Sequence, residues 1–165
     1  MIISRSSKKT AQSRSLQLLD MIDLVLGAPV NTHRSTTFFQ HDSKVFMVWS
    51  SGRIISLVAV ERITHAYRRL ADSTQGIETK GQKEKALIGI SRMWTCFTHR
   101  EKGLCKALLD ECAASFVFGV DFTSKGVMSE GRAMRDYVAF STPSESGMVV
   151  ARKWHGREDF LVYDD

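Results

Sequence analysis

Ala86-Leu-Ile-Gly-Ile-Ser91-Arg-Met-Trp-Thr-Cys96, followed at once by Phe97-Thr-His-Arg100-Glu-Lys-Gly103-Leu-Cys105-Lys-Ala-Leu-Leu109, decides how this chain is built. The first segment is apolar enough to read as a central strand. The second opens on a turn containing Gly103 and continues with Leu104, Leu108, Cys112 and Phe116 at near-helical spacing, a core-facing stripe. Strand, glycine turn and helix, in that order, aim backbone N–H groups at something anionic. The first amides of a helix lack partners, and the helix dipole is positive there. Gly103 serves either a tight helix start or close backbone approach to a ligand. Arg100 is either a phosphate-binding guanidinium or a solvated charge.

Toward the N-terminus, Lys44-Val-Phe-Met-Val-Trp49 and Arg53-Ile-Ile-Ser-Leu-Val-Ala-Val60 are β-rich runs joined by Ser50-Ser-Gly52, a hairpin signal. Leu16, Leu19, Ile22 (or Asp23) and Leu26 mark a helix from Ser15, stopped by Gly27 and Pro29. Thr36–Gln40 is a short strand or loop, and 61–71 is open between strand and helix. Asp72–Lys85, polar and glycine-containing, reads as an exposed loop. Toward the C-terminus, Gly119 ends the helix and 121–135 is a surface loop. Tyr137–Phe140 is a strand, Ser144 is placed to cap a helix running to about Trp154, Gly156 stops it, and Phe160–Tyr163 is the last strand. The two strands flanking the 103–119 helix should be parallel by the right-handed crossover. The whole is one mixed α/β (α+β) domain over residues 15–165.

Composition agrees with a single domain. The chain has 165 residues, 43% hydrophobic and 25% charged, and no apolar run near the ~20 residues of a membrane span. Three cysteines without an export signal read as free thiols in a reducing compartment. The net charge is +5, and Arg5, Lys8, Lys9 and Arg14 precede the first acid, Asp20. Residues 1–14 therefore read as a basic flexible tail, with weak, salt-sensitive contact to DNA or chromatin, or a nuclear address, as the sharper alternative. The five histidines show no paired metal spacing. Trp154 reads as core.

Four segments line up in order with one family: Gly89-Ile-Ser91-Arg92-Met-Trp94, Arg100-x-x-Gly103-Leu, Ala139-Phe-Ser141-x-Pro143, and Gly156 followed by Phe160-Leu-Val-Tyr163. The chain resembles the sister-chromatid-cohesion-establishment N-acetyltransferases of the GNAT superfamily. That resemblance implies a GNAT fold with a mixed central sheet flanked by helices. It implies a protein-lysine acetyltransferase that uses acetyl-CoA to modify the ATPase head of a cohesin SMC subunit, in the nucleus, with no membrane role. Relatives carry a Cys₂His₂ zinc finger before this domain; with no Cys-x-x-Cys pair here, no zinc site is expected.

The resemblance also assigns roles. Backbone amides of Arg100, Glu101, Lys102, Gly103, Leu104 and Cys105 would hold the cofactor's phosphates. Strand amides from Met93, Trp94, Thr95 and Cys96 would polarise the thioester carbonyl, if that strand splays from its neighbour rather than pairing normally. Ser141 and Pro143 complete the cofactor-binding set. Ser91 and Asp110 are the catalytic candidates; apart from the resemblance, Asp110 reads as a carboxylate on a polar helix face. The family's acid after the Phe-Ser pair is replaced by Thr142, which leaves Glu111, Asp136 or Glu145 to compensate. Cys105, beside a helix start, is a candidate for thiolate character or a small buried residue. Two other functions stay open: a GNAT enzyme acting on another protein or a small amine, and a catalytically inactive CoA- or chromatin-binding module.

Overall fold

The computed structural model describes residues 1–27, 38–40, 42–69, 80–116 and 133–164. In chain order they form β1 (Ile2–Ile3), α1 (Lys9–Leu26), β2 (Lys44–Ser50), β3 (Arg53–Arg62), β4 (His65–Arg69), β5 (Lys80–Lys85), β6 (Ile88–Thr95), α2 (Leu104–Ser115), β7 (Val138–Ser141), α3 (Glu145–His155) and β8 (Leu161–Tyr163). The strands make an eight-stranded sheet in the order β1-β2-β3-β6-β7-β8-β4-β5. β6, β7 and β8 run parallel, and the remaining pairs are antiparallel. This is the mixed α/β architecture expected from the sequence, including the parallel crossover through α2.

Strand alternation divides the core between the two faces of the sheet. On one face Val58, Val60, Ile88, Ile90, Val138 and Phe140 meet Leu108, Leu109 and Cys112 of α2 and Ala151 and Trp154 of α3. On the other, Val45, Met47, Leu57 and Ala59 are covered by Leu19 and Ile22 of α1. Ser144 caps α3 by accepting from the Gly147 amide at 3.3 Å, and Gly156 ends that helix at φ 73°.

Three expectations differ from the structure. Residues 1–14 are not a tail. Ile2 and Ile3 pair with Phe46 and Val45, and the buried Gln12 amide donates to the carbonyls of Ser4, Arg5 and Ser7. α1 therefore begins at Lys9, two turns before the apolar stripe starts. Arg5, Lys8, Lys9 and Arg14 remain exposed, now on ordered structure. Second, the C-terminal part of the expected 72–85 loop is β5, an edge strand zipped onto β4, where backbone pairing overrides a polar sequence. Third, Thr36–Gln40 contributes a 3-10 turn at Phe38–Gln40. Residues 36–37, 72–79 and 121–132, and the helix end expected at Gly119, lie outside the described residues.

Candidate functional site

Two irregularities in β6 make the site. Val60 stands opposite Ile90 while Ala59 stands opposite Arg92, so Ser91 is the extra residue of a β-bulge. The parallel ladder with β7 stops at Ile90–Phe140, although β6 continues to Thr95. Pairing between the two central strands therefore ends at the bulge, where β7 itself stops at Ser141, and the rest of β6 has no β7 partner on that side.

Backbone parity decides which groups face that gap. The Cys96 N–H donates to the Ile55 carbonyl at 2.8 Å. Antiparallel alternation turns Trp94 toward β3 as well, and its carbonyl accepts from Ser56 Oγ at 3.2 Å. Met93 and Thr95 point their backbone groups the other way, to the side that β7 has left. Of the four residues expected to present amides to a thioester, Cys96 and Trp94 are thus turned to β3, and Met93 and Thr95 are the two whose backbone groups face away from it.

Side chains from both lips line the gap. The Met93 sulfur lies 4.0 Å from Cys105 Sγ on α2. A Cβ built on Gly147 of α3 would sit 3.7 Å from Met93 Cε, 3.2 Å from Pro143 Cβ and 3.4 Å from Ser144 Oγ. Ser141 ends β7 opposite Tyr163. Thr142 is exposed on the same lip.

Gly103 opens α2 in the left-handed region at φ 76°, and Glu101 shares that region at φ 61°. No atom lies within 4 Å of a Cβ built at Gly103, and the first amides of α2, at Leu104, Cys105 and Lys106, precede the first intrahelical bond, from the Ala107 amide to the Gly103 carbonyl at 3.0 Å. Arg100 folds back, donating from Nε to the Thr95 carbonyl at 3.3 Å, with its guanidinium 5.8 Å from the centre of the exposed Phe97 ring. Glu101 and Lys102 are exposed beside the turn. A glycine-opened helix start beside two strand residues whose backbone groups have no partner on the β7 side is an arrangement that suits the phosphates and thioester of an acyl-CoA.

The catalytic candidates are not brought together in one network. Ser91 Oγ donates to the Ala59 carbonyl at 3.3 Å, within the sheet. Asp110 lies on α2, where Lys106 Nζ donates to one carboxylate oxygen at 2.6 Å and Trp154 Nε1 to the other at 2.8 Å. Burial works to raise the Asp110 pKa, but these two hydrogen bonds, with the Lys106 and Arg135 charges, hold it below its ordinary value. A carboxylate so occupied is a weak proton acceptor. Among the carboxylates left to replace the one missing at Thr142, Asp136 accepts from the Ala133 amide at 3.0 Å, while Glu145 is exposed in the first turn of α3 beside the gap. Burial raises the Cys105 thiol to about 11, so Cys105 is a small packed residue and not a thiolate. Trp154 is 4% exposed, a core residue as expected.

Two pairings escaped the sequence reading. Arg92 Nε donates to Asp23 Oδ1 of α1 at 2.6 Å, and Arg92 Nη1 to the Ser91 carbonyl at 2.6 Å. Tyr163 Oη donates to Glu61 at 2.6 Å, with its ring lying over Gly89. Asp23 on a helix stripe and a glycine inside a central strand were the available signals.

The profile of the family described as ESCO1/2 acetyl-transferase matches residues 84–163. N-acetyltransferase ECO1 of Yarrowia lipolytica is 30% identical over 141 residues, covering 85% of this chain and 44% of that protein. N-acetyltransferase ESCO2 of Mus musculus is 27% identical over 155 residues, covering 88% of this chain and 23% of that protein. The chain thus spans less than half the length of either relative. Among solved structures, the xEco2 acetyltransferase domain bound to a K105-CoA conjugate matches with a TM-score of 0.81 and 25% identity, covering all of this chain and 92% of that one.

Proposed function

This chain belongs to the ESCO1/2-type N-acetyltransferase family, and from that premise we propose that it transfers acetyl from acetyl-CoA to a lysine on the ATPase head of a cohesin SMC subunit, in the nucleus. The observation that carries the reading is the end of β6–β7 pairing after Ile90–Phe140, next to an α2 start opened by Gly103.

The residues then divide the work. The amides of Leu104, Cys105 and Lys106, with Arg100, would hold the phosphates, and the neighbouring Glu101, Lys102 and Gly103 shape that turn. Met93, Cys105, Ser141 and Pro143 would line the arm of the cofactor. Bound acetyl-CoA would supply a thioester whose carbonyl carbon is open to attack by an amine. The backbone N–H groups at Met93 and Thr95 would stabilise charge on the carbonyl oxygen, a contribution of about 2.7–4 kcal/mol for one such donor. A lysine with a reference pKa of about 10.4 must lose a proton first. Ser91 would relay it through water, and Glu145 is the exposed carboxylate nearest to hand on the α3 lip. Asp110 would act by holding α3 against α2. The exposed Arg5, Lys8, Lys9 and Arg14 would give a weak, salt-dependent contact with chromatin.

A second reading, a CoA-binding module without transferase activity, is favoured by Thr142, by Trp154, which carries no phenolic proton, and by the occupied carboxylate of Asp110. Incubating the purified chain with a cohesin head and acetyl-CoA, and mapping acetyl-lysine by mass spectrometry, separates the two. Transfer that is lost in Gly103→Asp supports the proposal. CoA binding by calorimetry with no acetylated lysine selects the second reading, and no CoA binding rejects both.

A further inference from the structure

We infer that Asp23 is a positioning residue for the gap, acting through Arg92 on the Ser91 carbonyl at the bulge of β6. The inference rests on the proposed acetyl-CoA site and adds to it a residue from a helix on the opposite face of the sheet.

A bulge leaves one residue outside the ladder, and its backbone groups need other partners. Here Ser91 is that residue. Its carbonyl accepts from Arg92 Nη1 at 2.6 Å, and its hydroxyl donates to the Ala59 carbonyl at 3.3 Å. The guanidinium is itself fixed from Nε by Asp23 at 2.6 Å. Asp23 is fully buried and the Arg92 side chain is 12% exposed. A planar fork can serve a carboxylate and a carbonyl at once in one orientation, which a lysine ammonium on a flexible stem does not impose.

Stability alone is a weak reason for such a pair. Burying two charges costs desolvation, and apolar replacements are often as stable. What the pair fixes is register. The bulge shifts the parity of β6 by one residue, and that parity turns the Met93 and Thr95 backbone groups into the gap instead of toward β3. Two residues later Trp94 packs with the same α1-facing cluster, and Met93 packs on the α2 face. α1 thus reaches the site without touching it.

The test uses the full chain with Asp23→Asn and Arg92→Lys, the second variant carrying the result if the first does not fold. Three quantities are read: amide hydrogen exchange in the 88–96 segment without ligand, the ratio of CoA to acetyl-CoA affinity by calorimetry, and kcat against KM for acetyl-CoA. The expected result is faster exchange confined to 88–96 and a lower affinity for acetyl-CoA relative to CoA than the wild type shows. With it, kcat should fall by roughly tenfold to a hundredfold. KM should change little, because the phosphates are held by α2. Unchanged exchange in 88–96, or unchanged kcat in variants that are merely less stable, would overturn the inference. Wild-type chain that binds no acetyl-CoA would reject the proposed function instead, while the exchange arm still reads the anchoring of the bulge.

Discussion

The indole N–H of Trp154 donates to the carboxylate of Asp110 at 2.8 Å, tying α3 to α2 over the sheet. Trp154 is buried, so its N–H needs that acceptor. Asp110→Asn keeps an acceptor and removes only a surface pair with Lys106, worth about 0–1 kcal/mol. Asp110→Ala strands the indole N–H and should cost about 1–3 kcal/mol in urea unfolding. If Asp110 positions α3, the Asn variant keeps most of its acetyl transfer. A loss of about 100-fold or more in that variant, with unfolding unchanged, would instead make Asp110 the proton acceptor.

Gly89 is fixed by Tyr163. A Cβ at Gly89 would lie 2.6 Å from Tyr163 Cζ and 2.8 Å from Oη, and the ring cannot swing aside while its hydroxyl holds Glu61. Gly89→Ala should therefore destabilise by about 1–3 kcal/mol, as overpacking does. Tyr163→Leu in the same chain should recover part of that loss. An alanine variant as stable as the wild type by urea midpoint would mean the ring has room that the packing denies.

These pairs show why the sequence disclosed some levels and not others. The β6 strand, the Gly103 turn, the caps at Ser144 and Gly156 and the parallel crossover were legible because each is written in residues close together in sequence. Ile2 and Ile3 were missed because their reason for order is Val45 and Phe46, more than forty positions away. Lys80–Lys85 was missed because an edge strand needs only backbone pairing, and its side chains carry no apolar alternation. In the site, the phosphate turn was legible, while the division of labour among Met93, Trp94, Thr95 and Cys96 depends on a bulge at Ser91 that no residue type announces.

Thiol reactivity separates the three cysteines. A hydrogen bond from Thr98 leads the effects that lower the Cys96 thiol, which lies beside the gap on a partly exposed turn. Burial raises Cys105 to about 11 and pushes Cys112 higher still. Only the thiolate reacts with iodoacetamide at an appreciable rate. Limited alkylation near neutral pH, read by peptide mass spectrometry, should label Cys96 first and leave Cys112 unmodified in the folded chain. Bound CoA should slow the labelling of Cys96. Equal labelling of Cys96 and Cys105 would contradict the burial that separates them.

His155 should make the fold sensitive to mild acid. Its ring stacks on Phe160 at 6.0 Å and meets Phe140 and Trp154 edge-on, and neither ring nitrogen has a hydrogen-bond partner among the described residues. Burial pushes its pKa from 6.5 down to about 4, with Arg157, Arg135 and Arg68 adding to the fall and Asp136 opposing it. Between those values the unfolded chain binds a proton that the folded chain does not. The contribution of His155 is therefore intact above the unfolded value and lost as pH falls through the window toward 4. Asp159, held at about 2 chiefly by its hydrogen bond from Arg157, loses its contribution only below 3.8, outside that window. His155→Phe keeps the ring stack and removes the titrating group. Urea midpoints taken at about pH 7 and about pH 5 should fall clearly in the wild type and much less in the variant. The same fall in both would place the acid sensitivity elsewhere.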